Sequence, residues 1–99
     1  REREAKVIRR ISMWQLKNKS DAEEMKNALL SMRTRVGSLT DIEVGVNISP
    51  HQSAYDIAFI GTFTDRDALL KFELDSFHKT VGELVSKLKD KRIVVEYEC

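Results

Sequence analysis

The chain has 99 residues, of which 41% are hydrophobic and 33% are charged. This length allows one domain, and the composition suits neither a membrane protein nor a disordered chain. The 17 basic and 16 acidic residues nearly cancel, so we expect no nucleic-acid partner and no membrane partner. The single cysteine, Cys99, excludes an internal disulfide and favours a reducing compartment, so we expect a cytoplasmic protein.

The first six residues are charged and carry no apolar rhythm. We interpret residues 1–6 as a leader segment or an expression remnant, and residues 7–99 as the domain. Because the sequence begins at Arg1 and not at Met, a removed targeting segment stays open as an alternative.

The first half of the domain predicts a strand followed by a helix. Residues 7–16 form two alternating sets, and each set includes large apolar groups, which is typical of a strand with two apolar faces. A stripe at three- and four-residue spacing then predicts a helix with one buried side. Its members are Ala22, Met25, Leu29, Met32 and Val36.

The second half predicts a hairpin, two short helices and a closing strand. Residues 40–48 and 54–63 are typical of paired strands joined by a turn. A short helix follows, and Asp75 or Ser76 caps a second helix. Residues 91–98 alternate again and predict the last strand.

This order indicates a ferredoxin-like α+β fold, with a four-stranded antiparallel sheet and helices on one face. We expect Trp14, Ile57, Phe59 and Phe63 to lie on the face that the helices leave uncovered. An exposed apolar patch of that size is unusual in a monomer. A homodimer that packs sheet against sheet would cover it.

Four basic residues cluster late in the chain, namely Lys87, Lys89, Lys91 and Arg92. They fall where the last helix is predicted to end, and cations there interact favourably with the helix dipole. We therefore interpret the cluster as a solvated helix end and not as a phosphate-binding site.

Motifs for common cofactors are missing from the sequence. Two histidines and one terminal cysteine make a zinc site within one chain improbable, and the four glycines are too scattered for a dinucleotide-binding turn. We therefore expect no cofactor and no metal site.

Four segments together resemble the stress-responsive α/β-barrel domain family, often called Dabb. They are IRRISMWQL from residue 8, DIEVGVN from residue 41, AYDIA from residue 54 and RIVVEY from residue 92. The resemblance implies a homodimer whose two sheets close into a dimeric α/β barrel, with a hydrophobic cavity in each subunit. The family includes stress-induced proteins of mostly undefined chemistry and a cofactor-free plant polyketide cyclase.

The resemblance also implies a candidate catalytic residue. The family segment Tyr-x-x-His-Pro-x-His reads Phe72-Glu73-Leu74-Asp75-Ser76-Phe77-His78 here. In cyclase-like members the last histidine is the base and the tyrosine assists through its hydroxyl. His78 is therefore the candidate base, while Phe72 lacks the hydroxyl and Arg10 stands where a histidine is common.

On the family model, a set of residues on the strands and the short helix lines the cavity. These are Arg10, Ser12, Trp14, Ile57, Phe59, Phe63, Phe72, Val94 and Glu96. A buried guanidinium must be paired, so we expect Arg10 either to pair with Glu96 or to hold a carboxylate or enolate of a ligand. His51 lies in the predicted turn, where we expect it to face water.

Three functions fit these patterns. The first is a stress-response module that binds a small apolar or weakly acidic compound. The second is a cofactor-free enzyme, of the cyclase, lyase or monooxygenase kind, with His78 as general base. The third is a dimerisation scaffold, which predicts a cavity filled by the protein's own side chains.

Overall fold

The computed structural model describes residues 7–99, so the predicted leader at residues 1–6 lies outside the described residues. The elements in chain order are β1 (Ile8–Leu16), a 3-10 turn (Lys19–Asp21), α1 (Ala22–Leu30), α2 (Met32–Arg35), β2 (Asp41–Val46), β3 (Ile57–Phe63), α3 (Arg66–Leu74), α4 (Ser76–Leu88) and β4 (Lys89–Glu98). The order of helices and strands confirms the predicted one.

The four strands form one antiparallel sheet in the order β2-β3-β1-β4. β1 is therefore central, and β4 lies at an edge. Two crossovers through helices, from β1 to β2 and from β3 to β4, each connect parallel strands that have one antiparallel strand between them. This is the ferredoxin-like arrangement. The predicted fold class is confirmed.

The helices pack on one face of this sheet, and aspartates fix two of their starts. Asp65 caps α3 by accepting a hydrogen bond from the Ala68 amide at 2.8 Å. Asp75 caps α4 by accepting from the amides of Phe77 at 2.8 Å and His78 at 3.1 Å. A carboxylate at this position satisfies amides that the first turn leaves free.

The predicted assignment of the sheet faces is wrong. Four residues lie under the helices, and each of them is no more than 4% exposed. They are Trp14, Ile57, Phe59 and Phe63. The reason is that β1 and β3 carry large apolar groups in both alternating sets, so alternation alone cannot tell which set meets the helices. The bulky aromatic set fills the space beneath the helices.

The opposite face of the sheet points away from the helices, and we call it the open sheet face. Its apolar members are Ile11, Met13, Ala58, Ile60, Ile93, Val95 and Tyr97. The three β4 members are the most open, with Ile93 45%, Val95 52% and Tyr97 40% exposed. The apolar side of β4 therefore faces away from the core of its own subunit.

Candidate functional site

A cavity of about 350 Å³ lies between the sheet and the helices. Ser12, Trp14, Phe59 and Val94 line it from the strands, and the helices contribute mostly apolar groups. The helix residues are Leu29, Met32, Phe72, Glu73, His78, Val81, Gly82, Val85 and Ser86. The volume is near the lower end for small-molecule sites, and the walls combine apolar surface with a few polar groups.

Most of the residues predicted for the site lie at this cavity. The cavity-lining members are Arg10, Ser12, Trp14, Phe59, Phe72, His78, Val94 and Glu96. Ile57 and Phe63 instead belong to the packed core. The Phe63 ring lies edge-on to the Phe72 ring, with 5.0 Å between their centroids. His51 is exposed in the loop after β2, with its ring nitrogen 2.9 Å from the Ser53 hydroxyl.

Arg10 joins the sheet to α3 through two carboxylates. Its Nε donates to Glu96 at 2.5 Å, and its Nη2 donates to Glu73 at 2.5 Å. Glu96 lies directly across from Arg10 in the β1–β4 register. The Arg10–Glu96 pair confirms one of the two predictions made for Arg10. The guanidinium is paired with carboxylates of the protein itself.

The electrostatics of this cluster follow from its burial. Burial alone would lower the pKa of Arg10, which is 8% exposed, but the hydrogen bonds to Glu73 and Glu96 raise that pKa above its usual value. The hydrogen bond from Arg10 lowers the pKa of Glu73. Arg10 therefore stays charged, and Glu73 is ionised at neutral pH.

Glu73 was not predicted as a site residue. It lies near the end of α3, outside any apolar stripe that would mark it as facing inward. Its only sequence signal is its place beside Phe72 in the family segment. The pairing with Arg10 depends on how α3 lies over the sheet, which helical periodicity does not reveal.

Arg92 is a second cation at the cavity. It is exposed, as expected, but it lies on a strand and not at the end of a helix. α4 stops at Leu88 and β4 begins at Lys89, so alternation along the strand turns Arg92 toward the cavity. Its Nη2 donates to the Ser12 hydroxyl at 3.2 Å. Partial desolvation, followed by the positive charge of Arg10, lowers the pKa of Arg92.

His78 lies in the first turn of α4, where the Asp75 cap fixes its backbone. Its ring stacks on Phe72, with 3.9 Å between centroids and 29° between planes. Among residues 7–99, its buried Nδ1 has no hydrogen-bond partner. Burial lowers the pKa of His78 and outweighs the opposing effect of the Glu73 charge. The imidazole is therefore neutral near pH 7 and can accept a proton.

Trp14 presents a second unpartnered polar atom in the wall of the cavity. The residue is 4% exposed, and its indole packs near Phe59 with 6.4 Å between ring centroids. Its buried Nε1 has no hydrogen-bond partner within the part of the chain that the structure describes. A buried indole N–H usually has an acceptor, so this N–H can still donate a hydrogen bond to a polar group of a ligand.

Across residues 7–99, no group of three or more His, Cys, Asp or Glu side chains is placed to hold a metal ion. Nor does any helix in that range have the length and apolarity to cross a membrane.

The whole described domain matches one family. The model of the stress responsive A/B barrel domain, Dabb, matches residues 8–99. The chain belongs to the Dabb family. A comparison with curated proteins finds no match.

Solved structures share the Dabb fold at low sequence identity. A dimeric ferredoxin-like protein of unknown function from Bacteroides fragilis is 22% identical with a TM-score of 0.83, covering 94% of this chain and 96% of its own. A Dabb family protein from Mesorhizobium loti is 23% identical with a TM-score of 0.72, covering 93% and 95%. Hydroxynitrile lyase from Passiflora edulis is 13% identical with a TM-score of 0.84, covering 97% and 95%.

These likenesses establish the fold of this Dabb protein and leave its chemistry to its own residues. At identities below 25%, a shared fold carries no shared activity. One neighbour is described as a lyase and others as proteins of unknown function. The cavity of this chain must therefore be interpreted from Arg10, Glu73, His78, Arg92 and Trp14.

Proposed function

We propose that this Dabb protein is a stress-response module that binds a small, mainly apolar molecule in the cavity between sheet and helices. The observation that carries the proposal is a cavity of about 350 Å³ lined by Trp14 and His78, two residues whose buried Nε1 and Nδ1 atoms lack hydrogen-bond partners among residues 7–99. A ligand with one polar end and an apolar body would satisfy such atoms while covering the walls.

The scaffold hypothesis is less well supported. It predicts that the protein's own side chains fill the cavity, whereas a volume of about 350 Å³ lies between sheet and helices. Native interiors rarely keep large voids, because unfilled space costs packing energy. An open cavity of this size therefore favours binding.

An enzymatic function is the second candidate, and the state of His78 favours it. A neutral, half-buried imidazole at the cavity can act as general base toward a bound O–H or C–H group. The lyase from Passiflora edulis shares the fold, so the fold is compatible with catalysis. Phe72 supplies no hydroxyl to assist, so His78 would have to act without that donor.

One experiment separates binding from catalysis. Small apolar and weakly acidic compounds are screened by thermal shift against wild type, His78→Ala and His51→Ala, with His51 as the matched exposed control. A ligand at one hundred times its Kd stabilises the folded state by about 2.7 kcal/mol, which shifts the Tm of a domain of this size by roughly ten degrees or more. Each hit is then incubated with all three proteins and analysed for product.

Binding without product in all three proteins supports the module. Product with wild type and His51→Ala, but not with His78→Ala, supports the enzyme. If no compound shifts the Tm of wild type, the proposed binding function is contradicted.

We also propose that the protein forms a homodimer through the open sheet face, as one half of a dimeric α/β barrel. Fold neighbours are described as dimeric. The apolar side of β4 is about half exposed in a single subunit. Burying several large apolar side chains contributes about 1.5–3 kcal/mol each, which offsets the entropy cost of association.

A further inference from the structure

The two arginine side chains at the cavity differ in their ion pairing. Arg10 is held by two carboxylates, Glu73 and Glu96, and each of these carboxylates binds Arg10. Within residues 7–99, the one side-chain hydrogen bond of Arg92 goes to the Ser12 hydroxyl. Among the described residues, Arg92 forms no ion pair with a carboxylate, whereas Arg10 forms two.

The sheet register places other free donors beside Arg92. Trp14 lies directly across from Arg92 in the β1–β4 pairing, and Ser12 lies two residues earlier on the same side of β1. The Trp14 Nε1–H has no partner among the described residues. Ser12 accepts from Arg92 through its oxygen, so its hydroxyl proton is free to be donated. Three donors of different kinds therefore lie together on one wall.

We propose that Arg92, Ser12 and Trp14 form the anion-binding end of the cavity, and that the ligand is a small amphipathic carboxylate whose apolar body lies against the helices. This inference rests on the proposed binding function and names its ligand class. Arg92 supplies the charge, and Ser12 and Trp14 supply neutral donors. Carboxylates accept several hydrogen bonds and pair well with guanidinium.

The charge balance of the cavity agrees with this assignment. Its described lining holds three cationic side chains, Arg10, Lys89 and Arg92, and two carboxylates, Glu73 and Glu96. One bound carboxylate would bring this group to neutrality. Although Arg92 is exposed on β4, partial desolvation and then the positive charge of Arg10 lower its pKa, and a neighbouring anion would oppose this effect.

The test compares one acid with its uncharged analogue. Octanoate and octanamide have the same apolar chain, and they are titrated by calorimetry into wild type, Arg92→Gln, Arg92→Lys and Lys87→Gln. Lys87 is exposed at the end of α4, so its substitution makes the same charge change away from the cavity. Charge-assisted hydrogen bonds predict that wild type binds octanoate at least about tenfold more tightly than octanamide.

Arg92→Gln is expected to lose this preference, because glutamine can still donate a hydrogen bond but carries no charge. Arg92→Lys keeps part of the preference, because it keeps the charge without the fork of donors. Lys87→Gln keeps all of it.

The inference is overturned if wild type binds both compounds equally, or if Arg92→Gln keeps the preference. In either case the cavity still binds, and the proposed function stands. If neither compound binds wild type at millimolar concentration, the inference is also overturned, and the thermal-shift screen decides the proposed function separately.

Discussion

His78 and Glu73 have lowered pKa values for different physical reasons. Burial is the main cause for His78, and the hydrogen bond from Arg10 is the main cause for Glu73. A group whose pKa is lowered by folding binds fewer protons in the folded state than in the unfolded state. Its contribution to stability is therefore complete above its ordinary pKa and is lost as the pH falls.

We predict that the free energy of unfolding falls as the pH drops below the ordinary histidine value of 6.5. For one proton the slope cannot exceed about 1.4 kcal/mol per pH unit. A second decline, from Glu73, follows below its ordinary value of 4.5. Urea unfolding of wild type, His78→Gln and His51→Gln from pH 8 to pH 5 measures the first decline.

His78→Gln should flatten the profile between pH 6.5 and pH 5, while the exposed control His51→Gln should leave it unchanged. A stability that rises as the pH falls through this window would contradict the buried neutral state of His78.

At single residues, the sequence predicted one partner of Arg10 and missed another. Glu96 could be inferred because a buried guanidinium needs a carboxylate and the two strands were expected to be neighbours. Glu73 could not be inferred, because its pairing depends on the placement of α3. Arg92 could have been inferred, because the predicted strand 91–98 puts it on the same side as Glu96. It was left out because the basic cluster was interpreted as a helix end, whereas the helix ends four residues before it.

Gly61 in β3 lets an aromatic ring lie across its own strand. A Cβ at this position would lie 2.7 Å from Phe59 Cζ and 3.2 Å from Leu39 Cδ2. Phe59 is 3% exposed and belongs to the packed core, so displacing its ring would disturb the residues packed around it. The glycine therefore fixes the position of one cavity wall.

We predict that Gly61→Ala lowers the free energy of unfolding by roughly 1–3 kcal/mol, because overpacking forces a buried ring out of place. Gly45→Ala in β2 is the matched control, since a Cβ there meets nothing within 4 Å. Urea unfolding of both variants measures the difference. Equal stability of the two variants would show that Phe59 yields freely.

For the elements, periodicity predicted the strands and helices but not the choice of sheet face. In β1, Trp14 belongs to one alternating set and Met13 to the other, and both sets are apolar enough to face a core. The choice is made by aromatic bulk and by the packing of α1 and α4, which are tertiary effects. In β4, the apolar side is the one turned away from the helices.

The sheet as a whole divides two proposed tasks between its faces. The cavity lies on the helix side, and the open sheet face lies on the other side. The assignment of Trp14, Ile57, Phe59 and Phe63 to the dimer contact was wrong. The open sheet face is instead the apolar surface that the helices leave uncovered, and it would favour self-association for the same reason. Ile11, Ile60 and Val95 are neighbours across three strands of that face.

We predict that the wild-type protein sediments as a dimer at micromolar concentration and that Val95→Lys sediments as a monomer. A lysine in the middle of the contact would have to be buried without a partner. Leu70→Lys is the control, because Leu70 is 60% exposed on α3, on the helix side of the sheet. A monomeric wild type, or a dimeric Val95→Lys, would contradict the role of the open sheet face.

The cavity beside Trp14 is the proposed ligand site. Trp14 is the one tryptophan of the chain, so the indole region of a ¹⁵N correlation spectrum contains a single signal. Titration with octanoate is predicted to move this signal in a saturable way, with the shift expected when the Nε1–H gains an acceptor. An indole signal that stays in place while amides of the open sheet face move would contradict the claim.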